Sequence, residues 1–288
     1  MKASIICINS EANENMKPIK TFSKLLISKM GYHVVKKSTL DEMKIDVVSA
    51  VRKLLDTSSD KTLTHNFLNF LVSDTTSSTP LSKSQLGQDF FALAAVKSDV
   101  DKFFVEIGGG DPIISSNTYL LQRGHGWKGI IVEPNPRFID RISLERCNEG
   151  EVELYPYAIA EKEGVSDFLP IGLIGTLPEY IDGDFHGKLR KKLLRKEKLI
   201  KIEKKSPKTF VESAVNGRRI DFLSVDTEGS EWEIIKNWPF ELCKPHVICV
   251  EANNRTWKPE LTSFMISHGY LQRMEAISKF DLWFILNE

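Results

Sequence analysis

The chain has 288 residues, 41% hydrophobic and 27% charged, with 39 basic against 39 acidic side chains and a formal charge of zero. This composition allows a sizeable buried core and excludes wholesale disorder, and neutrality counts against a nucleic-acid-binding protein, whose footprint is a domain-wide basic excess. The four cysteines, Cys7, Cys147, Cys243 and Cys249, form no C-x-x-C pair, and no apolar run reaches 18 residues; together with an amino terminus unlike a signal peptide, this predicts a cytoplasmic protein without membrane spans.

In chain order, the first 80 residues read as a mixed α/β segment of unassigned role. Strand-like runs lie at 4–8 and 32–35, with helix-like runs at 19–30, 43–55 and 63–72. The polar stretch 74–80, Asp-Thr-Thr-Ser-Ser-Thr-Pro, reads as a linker, which divides the chain into 1–80 and a main domain at 81–288. Leu86, Phe90, Leu93 and Ala94 then recur at helical spacing. Strands are predicted at 102–107, 129–133, 152–158, 220–226 and 246–251, with helices near 116–123, 136–146, 207–216 and 230–237 between them. Such alternation implies βαβ crossovers and a parallel sheet. A helix carrying Leu261, Phe264, Met265 and His268 on one face precedes strands at 270–275 and 281–286, whose short connection at 276–279 requires antiparallel pairing.

Chemistry gathers at the strand ends. The first strand runs into Gly108-Gly-Gly110, a turn that lets backbone approach a ligand closely. The second closes on Glu133, 23 positions after Gly110 and suited to accept hydrogen bonds from a ribose. The fourth ends in Asp226 and the fifth in Glu251. A glycine turn alone also fits an NAD- or nucleotide-sugar-binding oxidoreductase, and a module that binds a cofactor without catalysis is a further alternative. The terminal antiparallel hairpin favours a class I methyltransferase sheet, and hence S-adenosylmethionine over NAD.

Residues 82–288 resemble the FkbM family of S-adenosylmethionine-dependent methyltransferases. The resemblance is carried by Ser84-Gln-Leu-Gly-Gln-Asp89, Phe104-Val-Glu-Ile-Gly-Gly-Gly-Asp-Pro112, Ser116-Asn-Thr-Tyr119, Gly126-Trp-Lys-Gly129, Glu133-Pro-Asn135, Asp221-Phe-Leu-Ser-Val-Asp-Thr-Glu-Gly-Ser-Glu231 and Val250-Glu-Ala-Asn253. It implies a Rossmann-like, mostly parallel seven-stranded sheet with an antiparallel C-terminal hairpin, and O-methylation of a hydroxyl, commonly on a sugar of a glycan, lipopolysaccharide or glycosylated metabolite. It also implies that Glu106, Gly108 and Gly110 form the first cofactor motif, with Glu133 on the ribose, Gln88 and Asn117 as supporting contacts, and Tyr157 and Ala158 near the adenine. Pro112 stands where class I enzymes commonly have a third glycine.

Methyl transfer from a sulfonium is an in-line displacement, so the protein has to hold the acceptor opposite the methyl and take its proton. Asp226 is the candidate for lining the methionine end of the cofactor or orienting the acceptor, and Glu251 for the general base. Asp226, Glu251 and Asn253 could also offer oxygen ligands to Mg²⁺, although a metal-free cleft serves equally well and is the reading preferred. Glu228 and Glu231 read as helix-start residues, where the dipole favours negative charge, with capping as the role of Glu231. His246 and His125 read as structural. The stretch 188–205 holds ten lysines or arginines against Glu197 and Glu203. A solvated face, a lid, an anionic acceptor site and peripheral membrane contact are its readings. Trp257 is the candidate platform for a sugar face, whereas Trp232, Trp238 and Trp283 read as packing residues.

Overall fold

A computed structural model describes residues 54–56, 58–97, 102–147, 150–182, 186–253, 256–278 and 281–287. The elements expected at 4–8, 19–30 and 32–35 lie outside these residues, as does the run at 43–55 up to residue 53. Helix α1 (Lys61–Thr76) starts where Asp60 accepts a hydrogen bond from the Leu63 amide, and it continues three residues into the stretch expected as a linker. Its Leu63, Phe67 and Leu71 are buried in the same core as Phe90 and Phe91 of α2 (Gln88–Ala95).

Strands β1 (Phe103–Ile107), β2 (Lys128–Val132) and β3 (Val152–Tyr155) alternate with α3 (Tyr119–His125) and α4 (Pro136–Arg146). Helix α4 begins where the sequence places it, because the Asn135 side chain accepts from the Arg137 amide and proline fills the first turn. Helix α3 starts three residues later than expected, since Ser116, Asn117 and Thr118 are engaged by Glu106.

The third strand is shorter than the 152–158 expected. Pro156 has no amide to give a ladder, Tyr157 N–H turns back to the Tyr155 carbonyl at 3.0 Å, and the chain leaves the sheet. It enters a second, three-stranded sheet that the periodicity did not reveal, made of β4 (Ala158–Ile159), β5 (Gly164–Phe168) and β6 (Ile200–Lys205) in the order β4-β6-β5. Between β5 and β6 lies α5 (Gly187–Leu194), the first part of the basic stretch. Residues 160–206 thus form an insert between the strands of the main sheet.

The chain returns to the main sheet through α6 (Pro207–Phe210), β7 (Phe222–Val225), α7 (Glu231–Lys236), β8 (Val247–Glu251) and α8 (Lys258–Ser267). It closes with β9 (Tyr270–Gln272), a helical turn α9 (Glu275–Ser278) and β10 (Asp281–Leu286). Strand β9 stops short of the expected residue 275, where Met274 adopts a φ of 61°. The main sheet has seven strands in the order β3-β2-β1-β7-β8-β10-β9, with β10 antiparallel to both neighbours. This is the class I methyltransferase arrangement.

Side chains alternate across the sheet. Phe104, Phe222, Cys249 and Trp283 pack beneath α1 to α4, while Val105, Leu223, Val250 and Phe284 pack on the opposite side with α8. The register then fixes the site. Ile107 pairs with Val132 and with Val225, and Val225 pairs with Val250. The next residue along each strand, namely Gly108, Glu133, Asp226 and Glu251, therefore emerges at one carboxyl edge.

Candidate active site

Where β1 ends, Gly108 and Gly109 donate their amides to the Val132 carbonyl at 2.9 and 3.2 Å, and the chain turns across the tip of β2. Gly108 sits at φ 86°, and a Cβ there would lie 1.8 Å from the Asp226 carbonyl oxygen, so no side chain fits. Beside this bend a cleft of about 550 Å³, mouth included, is walled on one side by the strand ends and on the other by the insert's turn at Gly172–Ile174.

Six of the residues assigned from the sequence line this cleft: Gly108, Gly110, Glu133, Tyr157, Ala158 and Asp226. Glu133 is 5% exposed. Its Oε2 accepts from the Gly110 amide and its Oε1 from the Asn135 amide, both at 2.7 Å. Burial pushes its carboxyl up to about 7 against the pull of those two amides, with repulsion from Glu106 adding to the rise.

Gln88, Glu106, Asn117 and Glu251 do not line the cleft. Glu106 lies on the sheet face that carries Phe104, and burial raises its carboxyl, opposed by Arg146 and by its donors. It accepts from Thr118 Oγ1 at 2.6 Å and the Asn117 amide at 2.8 Å, with longer contacts to Ser116 Oγ. Buried Arg146 braces the same loop through Thr118 Oγ1, Ser116 Oγ and the Pro112 carbonyl. Asn117 Nδ2 donates to Ser224 on β7, and its buried Oδ1 has no partner among the described residues. Gln88 Nε2 donates to Asp281 Oδ2 at 2.8 Å, tying α2 to the start of β10. Burial lifts Asp281 to about 6.

Asp226 and Glu251 come together, and Glu228 joins them: one carboxylate oxygen from each lies within 4.8 Å of the others. Burial first, then mutual repulsion, raises Asp226 and Glu251 well above the ordinary carboxylate range. Glu231 and Asp281 add to that repulsion, while Lys258 of α8, whose own ammonium is pushed down by burial, is attracted to Asp281 and Glu251. Glu251 Oε2 is buried and has no hydrogen-bond partner among the described residues. Among the acidic side chains of the described residues, these three carboxylates stand close enough together to hold a divalent cation. Glu231 Oε1 instead accepts from the Thr227 and Gly229 amides, which fixes the turn after β7.

Sequence reasoning missed Arg146, the place of Glu228 beside Asp226 and Glu251, and the insert's contribution to the cleft through Phe168, Leu173 and Leu177. Gly172 and Gly175, spaced around a short apolar turn, were the available signal. Trp257 is half-buried and stacks on Trp232 at 6.4 Å, so one of its faces is occupied. Trp283 is buried and stacks on Phe91, and His125 packs edge-on against Phe70. Among the described residues no helix is long and apolar enough to cross a membrane.

Residues 106–272 match the methyltransferase FkbM domain. No curated protein matches the chain in sequence. Among solved structures the chain is similar to methyltransferase FkbM from Methylobacillus flagellatus KT, at 15% identity and a TM-score of 0.44, over 85% of this chain and 60% of that one. It is also similar to the Methanococcus jannaschii fibrillarin pre-rRNA processing protein, at 11% identity and a TM-score of 0.37, over 72% and 76% of the two chains. A third similarity is to precorrin-6y C5,15-methyltransferase from Geobacter metallireducens GS-15, at 14% identity and a TM-score of 0.36, over 73% and 90%. The chain thus spans less than two thirds of the length of the first of these.

Proposed function

The chain belongs to the methyltransferase FkbM domain family, and from that premise we propose that it is an S-adenosylmethionine-dependent O-methyltransferase acting on a sugar hydroxyl. The observation that carries the reading is the shared register of β1, β2, β7 and β8, which brings the glycine bend, Glu133, Asp226 and Glu251 to one edge. The residues lining the cleft fit the cofactor: a bend too tight for any Cβ at Gly108, the Glu133 carboxylate beside it, and the apolar Val132, Tyr157, Ala158 and Ile159 along the wall.

Bound S-adenosylmethionine supplies an electrophilic methyl on a cationic sulfur. Glu133 accepts from the ribose hydroxyls through lone pairs left over from its two amide donors. Tyr157 and Ala158 give the adenine an apolar wall. Asp226 presents negative charge toward the methionine end, and the cationic ligand favours its ionised form. Glu251 takes the acceptor's proton at Oε2, whose lone pairs have no hydrogen-bond partner among the described residues. Arg190 paired with Glu228, and Lys258 acting on Glu251, already offset part of the cluster's charge, which supports the metal-free form of this reaction.

A hydroxyl acceptor is favoured because a base that must be shared among repelling carboxyls is suited to removing a proton, whereas a protonated amine would be held as a salt. An anionic sugar is favoured by the exposed Lys188, Lys192, Arg195 and Lys196 on and after α5. The test is methyl transfer from labelled S-adenosylmethionine to a panel of neutral and uronic-acid or phosphate-bearing glycans, with the product mapped by mass spectrometry. A sugar O-methyl ether on an anionic acceptor is expected, and labelling confined to nitrogen or carbon would overturn the assignment.

A further inference from the structure

The turn after β7 is strained. Glu228 adopts φ 62°, left-handed backbone that a residue with a Cβ occupies at a cost of about 1 kcal/mol or more and keeps only when its surroundings hold it there. The holding groups come from the insert. Thr176 Oγ1 donates to the Glu228 carbonyl at 2.9 Å, and Arg190 of α5 donates through a terminal nitrogen to the Glu228 carboxylate. Arg190 also donates from Nε to the Ile174 carbonyl at 2.9 Å, in the turn that stands over the glycine bend. That turn brings Leu173 to within 3.1 Å of where a Gly110 Cβ would be.

Arg190 is 0% exposed, although it lies in the middle of a basic run whose other members are mostly at the surface. Burying a guanidinium is costly unless it is paired and hydrogen-bonded. Here its planar fork reaches both walls of the cleft at once, a geometry that the compact ammonium of lysine cannot reproduce. Arg190 itself does not line the cleft.

We propose that Arg190 is a positioning residue that clamps the two walls of the cofactor cleft, the insert's turn at Ile174 and the acidic turn at Glu228, and so sets how long the cofactor and its product stay bound. This rests on the cleft being the cofactor's. Breaking the clamp leaves the contacts of Glu133 and the glycine bend in place but frees the wall that covers them. Release is then faster while methyl transfer in a single turnover changes little.

Stopped-flow release of S-adenosylhomocysteine tests the clamp, alongside single-turnover rates. Arg190→Gln is expected to raise the off-rate about tenfold, as loss of a charge-assisted hydrogen bond implies. Arg190→Lys, which keeps the ion pair without the fork, should lie between that variant and the wild type. Glu228→Gln combined with Arg190→Gln should release no faster than Arg190→Gln alone, because both substitutions break the same link. Thr176→Val removes only a hydroxyl and keeps the test open if Arg190→Gln does not fold; it should speed release in the same direction. A purely architectural Arg190 would lower the melting temperature and leave these off-rates at the wild-type value, which would overturn the clamp. Failure of the wild type itself to bind S-adenosylhomocysteine would instead overturn the reading of the cleft, and the clamp with it.

Discussion

Replacing Glu133 by glutamine separates the energy of a buried acid from the shape of the fold. Glu133 is buried, and its carboxyl is raised from 4.5 to about 7. The native protein therefore binds this proton more tightly than the unfolded chain. Stability falls as pH rises from about 4.5 through 7 and levels off above that. At about 1.4 kcal/mol for each tenfold difference in proton affinity, the loss contributed by Glu133 is roughly 3 kcal/mol across that window, equivalent to roughly 5–10 °C in melting temperature for a chain of this size. Glutamine keeps one acceptor for an amide but cannot ionise. Melting curves of ligand-free wild type and Glu133→Gln at pH 5 and pH 8 should show the wild type falling further than the variant by that margin. Other raised acids titrate in both proteins and largely cancel in the comparison. Parallel pH dependence in the two would refute the claim that Glu133 is held as an acid against its own burial.

Glu251→Gln should lower turnover by about 10²–10⁴-fold while changing the dissociation constant of S-adenosylhomocysteine far less, because a general base acts on the acceptor's proton; an equal loss in both quantities would remove Glu251 from proton transfer. Glu106→Gln leaves Arg146 buried without its countercharge and should cost about 3–5 kcal/mol in urea unfolding, where a change under 1 kcal/mol would contradict the loop-bracing role. Gly108→Ala forces a Cβ onto the Asp226 carbonyl at a left-handed φ, and roughly 3 kcal/mol of destabilisation with loss of cofactor binding is expected from the same denaturation and binding measurements. A variant that binds as the wild type does would show that the bend has room to spare.

Much of the sheet was legible because its strands end in chemistry. Apolar runs closing on Glu106, Glu133, Asp226 and Glu251 marked β1, β2, β7 and β8, and Asn135-Pro136 marked the start of α4 through a cap and a preset dihedral. Pro156 also carried a readable warning that the third strand stops, yet the apolar Tyr157-Ala158-Ile159 beyond it suggested continuation. The insert's sheet was hidden because it buries little: β5 (Gly-Val-Ser-Asp-Phe) lacks a period-two pattern, β6 ends in Glu-Lys-Lys, and the cluster they cover is small, made of Ala158, Ala160, Phe168, Leu177 and Ile202. Arg146 and Arg190 could not be picked out from neighbours of the same type. What distinguishes them is burial against acids about 40 residues away in each case, Glu106 and Glu228, and such pairing is a property of the fold and not of local pattern.

Direct titration of the purified protein with S-adenosylmethionine, S-adenosylhomocysteine and NAD by calorimetry tests the assignment of the cleft. Binding of both adenosyl compounds, weakened in Glu133→Ala and absent for NAD, is the expected result. Tight binding of NAD with no heat from either adenosyl compound would contradict it.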